Sequence, residues 1–146
     1  MAHFHLERQV PLSAPEAWRR VTDWDRHADG IPATRIVRSA APAAGVGGRF
    51  TARTGWRRVG FDDPMEIVEW RPPGTGGASG RCRLEKRGRL VRGWAEIEVH
   101  AEGPAAARVG WWEELRPRGL PRLLDPALAR VARAVFGRAL DRLLRG

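Results

Sequence analysis

Residues 3–10, His-Phe-His-Leu-Glu-Arg-Gln-Val, alternate with period two. Phe4, Leu6 and Val10 share one face with Arg8, while His3, His5, Glu7 and Gln9 share the other, which predicts a half-buried strand. Ser13-Ala14-Pro15-Glu16 reads as a capping box. The Ser13 hydroxyl accepts from the N–H of Glu16, the Glu16 carboxylate reaches back to the N–H of Ser13, and Pro15 fits the first turn. The helix this opens buries Ala17, Trp18 and Val21. Asp23 is placed to cap a second short helix through Trp24 and His27, ended by Gly30 and Ile31-Pro32. Strands are predicted at 33–39, 49–61 and 64–71, the last two joined at Asp62-Asp63, with Ala/Pro/Gly-rich loops at 40–48 and 72–80. An antiparallel meander follows at 81–86, 89–100 and 107–116. Asp125-Pro126 then opens a long helix on which Leu128, Val131, Ala132, Val135, Phe136, Ala139 and Leu143 recur at helical spacing, with most arginines opposite.

The meander can be phased. A two-residue turn at Arg87-Gly88, with Gly88 at positive φ, pairs Lys86 with Arg89, Leu84 with Val91 and Cys82 with Gly93, and sets position 94 opposite Arg81. A turn around Glu102-Gly103-Pro104 pairs Val99 with Val109, Ile97 with Trp111, Ala95 with Glu113 and Gly93 with Leu115. One face then carries Cys82, Leu84, Val91, Gly93, Ala95, Ile97, Val99, Val109, Trp111 and Leu115. The other carries Arg81, Arg83, Trp94, Glu96, Glu98, Trp112 and Glu114. The apolar face must be covered, and the final helix is the only long element with a matching stripe. The predicted fold class is therefore α+β: a curved antiparallel sheet of seven strands wrapped around a long C-terminal helix, with two short helices after the first strand. Residues 1–146 form one domain. Small residues at the centre, Gly93 and Ala95 facing Ala132 and Ala139, predict an apolar cavity between sheet and helix.

Composition narrows the partners. Apolar residues make 42% and charged residues 29%, a globular balance. No apolar run approaches the ~20 residues of a membrane helix, the N-terminus has no signal-peptide pattern, and a cytoplasmic location is expected. The single cysteine, Cys82, excludes an internal disulfide. Net charge is +9, but the only lysine is Lys86 and every other basic residue is arginine, a bias typical of GC-rich coding. Residues 116–146 hold eight arginines and two aspartates. No arginine cluster is interleaved with aromatics, so nucleic acid is not an expected partner.

The order of elements, together with Val10-Pro11-Leu12-Ser13-Ala14-Pro15-Glu16-Ala17-Trp18-Arg19-Arg20-Val21-Thr22-Asp23, Glu66-Ile67-Val68-Glu69-Trp70-Arg71-Pro72-Pro73 and Val109-Gly110-Trp111-Trp112-Glu113-Glu114-Leu115-Arg116-Pro117, resembles the START/SRPBCC (helix-grip) superfamily, nearest its polyketide cyclase/dehydratase-like branch. The resemblance spans nearly the whole chain. It implies a hydrophobic cavity between sheet and final helix. Members include aromatase/cyclases, lipid and quinone carriers and hormone receptors, with no shared catalytic motif to transfer.

Glu113 is the most informative candidate: the register puts a carboxylate on the apolar face, where it needs a partner or a raised pKa. Arg8 is one such partner. Leu84, Ala95, Ile97, Trp111, Leu128 and Phe136 are the expected ligand-contacting residues. The resemblance sets Trp18, Trp24 and His27 near the cavity mouth, where His27 joins Glu113 as a candidate proton-transfer group. His3 and His5 have chelating spacing without a third ligand, so no metal or cofactor is expected. Glu96, Glu98 and Glu114 fall on the outer face beside Trp94 and Trp112, where cross-strand pairing accounts for them; the two tryptophans also suit a protein contact such as a homodimer. The glycine runs 45–48 and 74–77 precede strands and read as turns. Cys82 has no base nearby. Three functions follow: binding of a small hydrophobic polyketide-, lipid- or quinone-like molecule; a polyketide cyclase/dehydratase-type enzyme in the same cavity; or surface attachment to a protein or membrane through the arginine-rich helix.

Overall fold

The computed structural model describes residues 2–38, 45–56, 59–74 and 78–145. Strand β1 (Ala2–Val10) leads into helices α1 (Ala14–Val21) and α2 (Trp24–His27) and a 3-10 turn at Ala28–Gly30. Six strands follow: β2 (Thr34–Arg38), β3 (Arg49–Trp56), β4 (Val59–Arg71), β5 (Gly80–Arg87), β6 (Val91–Gly103) and β7 (Ala106–Pro117). A 3-10 turn at Arg122–Leu124 precedes α3 (Asp125–Arg145). The sheet is antiparallel throughout, in the order β1-β7-β6-β5-β4-β3-β2.

Only part of the local capping forms. Ser13 Oγ accepts from Glu16 N at 3.3 Å, but the Glu16 carboxylate turns to Arg19 and Arg20 instead of returning to Ser13. Asp23 stands at the N-cap of α2 without a side-chain cap bond.

The β6/β7 register is the predicted one: Val99 pairs with Val109, Ile97 with Trp111, Ala95 with Glu113 and Gly93 with Leu115. The β5/β6 register differs by four residues. Leu84 pairs with Ala95, Cys82 with Ile97 and Lys86 with Gly93, and Trp94 lies opposite Glu85. The connection is longer than a two-residue turn because Gly88 packs against Pro64 and Leu90 O accepts from Arg118 N at 2.7 Å. Gly88 has no positive φ; Gly93 does, at 137°. A shift of four is even, so every side chain keeps its face. A second correction concerns Asp62-Asp63, which is no turn. Strand β4 runs straight through it, with Arg53 donating to Asp62 across the pair at 2.7 Å. The β3/β4 pairing runs as far as Trp56 and Val59, and residues 57–58 lie outside the described residues.

Helix α3 divides into two halves. Ala139, Leu140, Leu143 and Leu144 are buried, and the approach is close enough that a Cβ on Gly30 would stand 2.7 Å from Ala139 Cα. The N-terminal half faces the sheet across a cavity from Leu128 to Val135, and Phe136 closes the gap by stacking on Phe4 of β1 at 5.5 Å. The outward arginines of α3, Arg130, Arg133, Arg138 and Arg142, are exposed. At Gly93 a Cβ would lie 1.8 Å from the Glu114 carbonyl oxygen, so only glycine fits this bend. Gly93→Ala is expected to cost about 2–4 kcal/mol. An unchanged midpoint in urea denaturation would contradict that reading of the bend.

Candidate functional site

A cavity of about 610 Å³ lies between the inner face of the sheet and the N-terminal half of α3. That volume falls within the ~300–1,000 Å³ of small-molecule sites. Its wall includes Leu84, Ala95 and Trp111 from the sheet and Leu128, Ala132 and Phe136 from α3. Trp111 and Phe136 lie 5.7 Å apart between ring centroids. At the open end stand Phe61, Leu90 and Val131, all exposed, with Arg118.

Four of the expected ligand-contacting residues, Trp18, Trp24, Ile97 and Arg8, lie off the cavity wall. Trp18 is buried edge-on against Trp70 at 5.1 Å, and Trp24 stacks on Phe50 at 5.0 Å; neither borders the cavity. Ile97 is wholly enclosed in the core beneath it. Arg8 donates to Asp141 of α3 at 2.8 Å and does not meet Glu113. On the outer face His5 stacks on Trp112 at 4.5 Å, His3 lies 5.9 Å from Trp94, and Arg83 sits over Trp94 at 4.6 Å. Glu96 accepts from Arg81 and Arg83, and Glu98 pairs with His100. Cys82 is buried, and desolvation pushes its thiol up to about 12. Gly45 and Gly47 sit at positive φ in a turn, and residues 75–77 lie outside the described residues.

Glu113 does line the cavity, at 2% exposure. Its charge partner is Lys86, which is 7% exposed. Lys86 projects from β5 on the inner face and Glu113 from β7, with β6 between them. There β6 presents Gly93 and Ala95, whose small size leaves room for the lysine side chain above the strand. From β4, Asp63 Oδ2 accepts from Lys86 Nζ at 2.5 Å. Two carboxyl groups and one ammonium thus share one apolar wall. Glu113 Oε2 and Asp63 Oδ1 are buried with no hydrogen-bond partner among the described residues, as is the indole N–H of Trp111.

Burial pushes Glu113 up to about 7; Lys86 pulls it down, and Asp63 adds to the rise. Burial also opposes the Lys86 charge, but Glu113, Asp63 and the bond to Asp63 outweigh it and raise the ammonium above its ordinary value. His27 lines the cavity from α2, half-buried, with Nε2 2.6 Å from Val21 O and its ring 5.4 Å from that of Trp111. A carbonyl accepts only, so Nε2 carries the proton and Nδ1 keeps a lone pair. Desolvation lowers His27 to about 4, against smaller opposing effects from Val21 and Asp23.

The sequence pattern alone does not mark Asp63 or Lys86 as site residues. Asp63 was hidden by the turn-like Asp-Asp pair. Lys86 carried a signal: one lysine among 25 arginines marks a position where the larger planar guanidinium does not substitute.

A curled antiparallel sheet gripping a C-terminal helix, with an apolar cavity between, is the helix-grip architecture. The chain belongs to the polyketide cyclase / dehydrase and lipid transport family, whose match covers residues 1–145. Among solved structures it is similar to a START superfamily protein from Mycobacterium smegmatis, at 10% identity and TM-score 0.71 over 99% of this chain and 98% of that one. It is similar to the di-domain ARO/CYC BexL from the BE-7585A biosynthetic pathway at 15% identity and TM-score 0.66, covering 99% of this chain and 46% of that one. Norcoclaurine synthase from Thalictrum flavum is similar at 15% identity and TM-score 0.60, covering 97% and 91%. Among curated proteins none matches in sequence. The likenesses to these structures are likenesses of fold. Among the described residues no helix is long and apolar enough to cross a membrane.

Proposed function

We propose that this protein binds a small hydrophobic molecule in the cavity between the sheet and α3. The observation that carries the reading is the cavity itself: about 610 Å³, walled by aliphatic and aromatic side chains with one compact polar cluster. Such a site excludes water from an apolar ligand while fixing the orientation of one polar end. The tilted ring pair Trp111 and Phe136 offers an aromatic wall that suits a flat ring system of polyketide or quinone type. Native mass spectrometry of protein purified from its own host, with extraction of what co-purifies, is expected to show an apolar adduct. Ala132→Trp, which fills the cavity from α3, is expected to lose it with the circular dichroism spectrum unchanged. An adduct retained in that variant would place the ligand elsewhere.

A second reading, an acid/base catalyst of the polyketide cyclase/dehydratase type, is favoured by the presence of Glu113 and His27 on the wall of one cavity. Environment pushes the two toward opposite neutral forms, a carboxylic acid and a free imidazole, on one cavity. Such a pair suits moving a proton on and off the carbon next to a ketone. Under this reading the protein accelerates deuterium exchange at the α-carbon of an aryl β-diketone, and Glu113→Gln slows that exchange about 100-fold. Exchange at the buffer rate with bound diketone leaves binding as the function.

A further inference from the structure

Resting on the binding reading above, the inference concerns the polar end of the ligand. The whole chain carries +9, yet the polar wall of the cavity has the opposite balance: two carboxyl groups, Asp63 and Glu113, to one ammonium, Lys86. The ammonium is already engaged, donating to Asp63 at 2.5 Å and interacting with the charge of Glu113. The remaining cation on the lining, Arg118, is exposed at the open end. At pH 8, where Glu113 is ionised beside Asp63, a carboxylate or phosphate brought to this wall would meet two groups of its own sign and one lysine that is already engaged. The wall's unpartnered polar atoms point the same way. Two are acceptors, Glu113 Oε2 and Asp63 Oδ1, and one is a donor, the indole N–H of Trp111. A hydroxyl is the uncharged group that gives one hydrogen bond and takes another.

We propose that the cavity selects hydroxylated aromatic molecules, phenols or aryl alcohols, whose O–H donates to Glu113 while the ring packs against Trp111 and Phe136, and that it rejects anionic heads such as fatty-acid carboxylates and lipid phosphates. Selection is by polarity, because the surrounding apolar wall is common to all flat ligands of similar size. Glu113 sets this preference and Lys86 holds the acidic pair in place. This differs from what the basic surface suggests, which is a chain suited to anionic partners.

The test uses naphthalene, 2-naphthol, 2-naphthylmethylamine and 2-naphthoate, one ring system with four heads, in isothermal titration calorimetry on the full chain at pH 8. Naphthol is expected to bind about 10-fold or more tightly than naphthalene, and naphthoate at least about 10-fold more weakly than naphthol. Glu113→Leu is expected to erase the naphthol preference while keeping naphthalene binding, which also shows that the variant is folded. Glu113→Gln, whose amide oxygen still accepts, keeps part of it. Naphthoate binding as tightly as naphthol overturns the proposal, as does a naphthol preference that survives Glu113→Leu. The amine binding tightest would replace the hydroxyl with an ammonium head and overturn it too. Naphthalene binding with no preference among heads defeats the selectivity alone. If no probe binds, naphthalene included, the binding reading itself fails.

Discussion

Replacing Lys86 with methionine is expected to lower stability by about 3–5 kcal/mol. Methionine keeps the unbranched apolar stem of lysine, so the loss is mainly that of the charge and its hydrogen bond to Asp63. It strips the counter-charge from Asp63 and Glu113 inside an apolar wall, where Lys86 and Asp63 meet at 2.5 Å. A buried carboxylate without a cation is costly, whereas replacing a whole buried pair by hydrophobic groups is often neutral. Lys86→Met with Asp63→Leu is therefore expected to recover most of the loss. Lys86→Arg is not a rescue, since the larger guanidinium must fit the space over Gly93 and Ala95; overpacking of this kind costs about 1–3 kcal/mol. By contrast, removing the exposed Arg53–Asp62 pair, which solvent screens, is expected to leave the midpoint almost unchanged. Urea denaturation at pH 7.5 compares all four. A Lys86→Met loss no larger than that of the surface pair would contradict the electrostatic account of the cluster.

The second large effect is a pair of opposed pH dependences. Glu113 titrates near 7 in the folded protein against an ordinary value of 4.5. Folding therefore holds a proton that the unfolded chain releases, so the stability Glu113 contributes below pH 4.5 is lost as pH rises toward 7. That loss is about 3 kcal/mol. His27 titrates near 4 against 6.5. Its neutral form is favoured by folding, so its contribution is present above pH 6.5 and is lost as pH falls toward 4, again by about 3 kcal/mol. Between pH 4.5 and 6.5 the two slopes cancel in the wild type. Glu113→Gln is expected to gain stability relative to wild type as pH rises through that window. His27→Gln is expected to gain it as pH falls. Urea denaturation from pH 4 to 8 reads both, and variant curves running parallel to the wild type would refute the assignment.

Much of the fold was legible because sheet faces depend on parity. The β5/β6 hairpin is displaced by four residues from its predicted pairing, yet Leu84, Val91, Ala95 and Ile97 all keep the inner face. That is why Glu113 could be placed inward from the sequence. Its partner could not be read the same way. Arg8 has the right parity on β1, but that strand runs beneath α3, and Asp141 takes the guanidinium. The true partners come from β4 and β5, and reaching them needed both the β3/β4 register that makes Asp63 a strand residue and the gap left by Gly93. Asp62-Asp63 has the composition of a turn; only cross-strand pairing with Arg53 shows that it is strand. Trp18 and Trp24 were assigned to the cavity by resemblance. Their packing on Trp70 and Phe50 depends on where α1 and α2 dock, which no local pattern encodes.

The central claim is that sheet and helix enclose a space a ligand occupies. A crystal structure of the protein grown with 2-naphthol tests it most directly. The account requires the naphthalene ring in the cavity, packed against Trp111 and Phe136, with its oxygen within hydrogen-bond distance of the Glu113 carboxyl. Naphthol seated on the outer face against Trp112 and His5, or a helix α3 collapsed onto Ala95 and Leu84 with no space between, would contradict it.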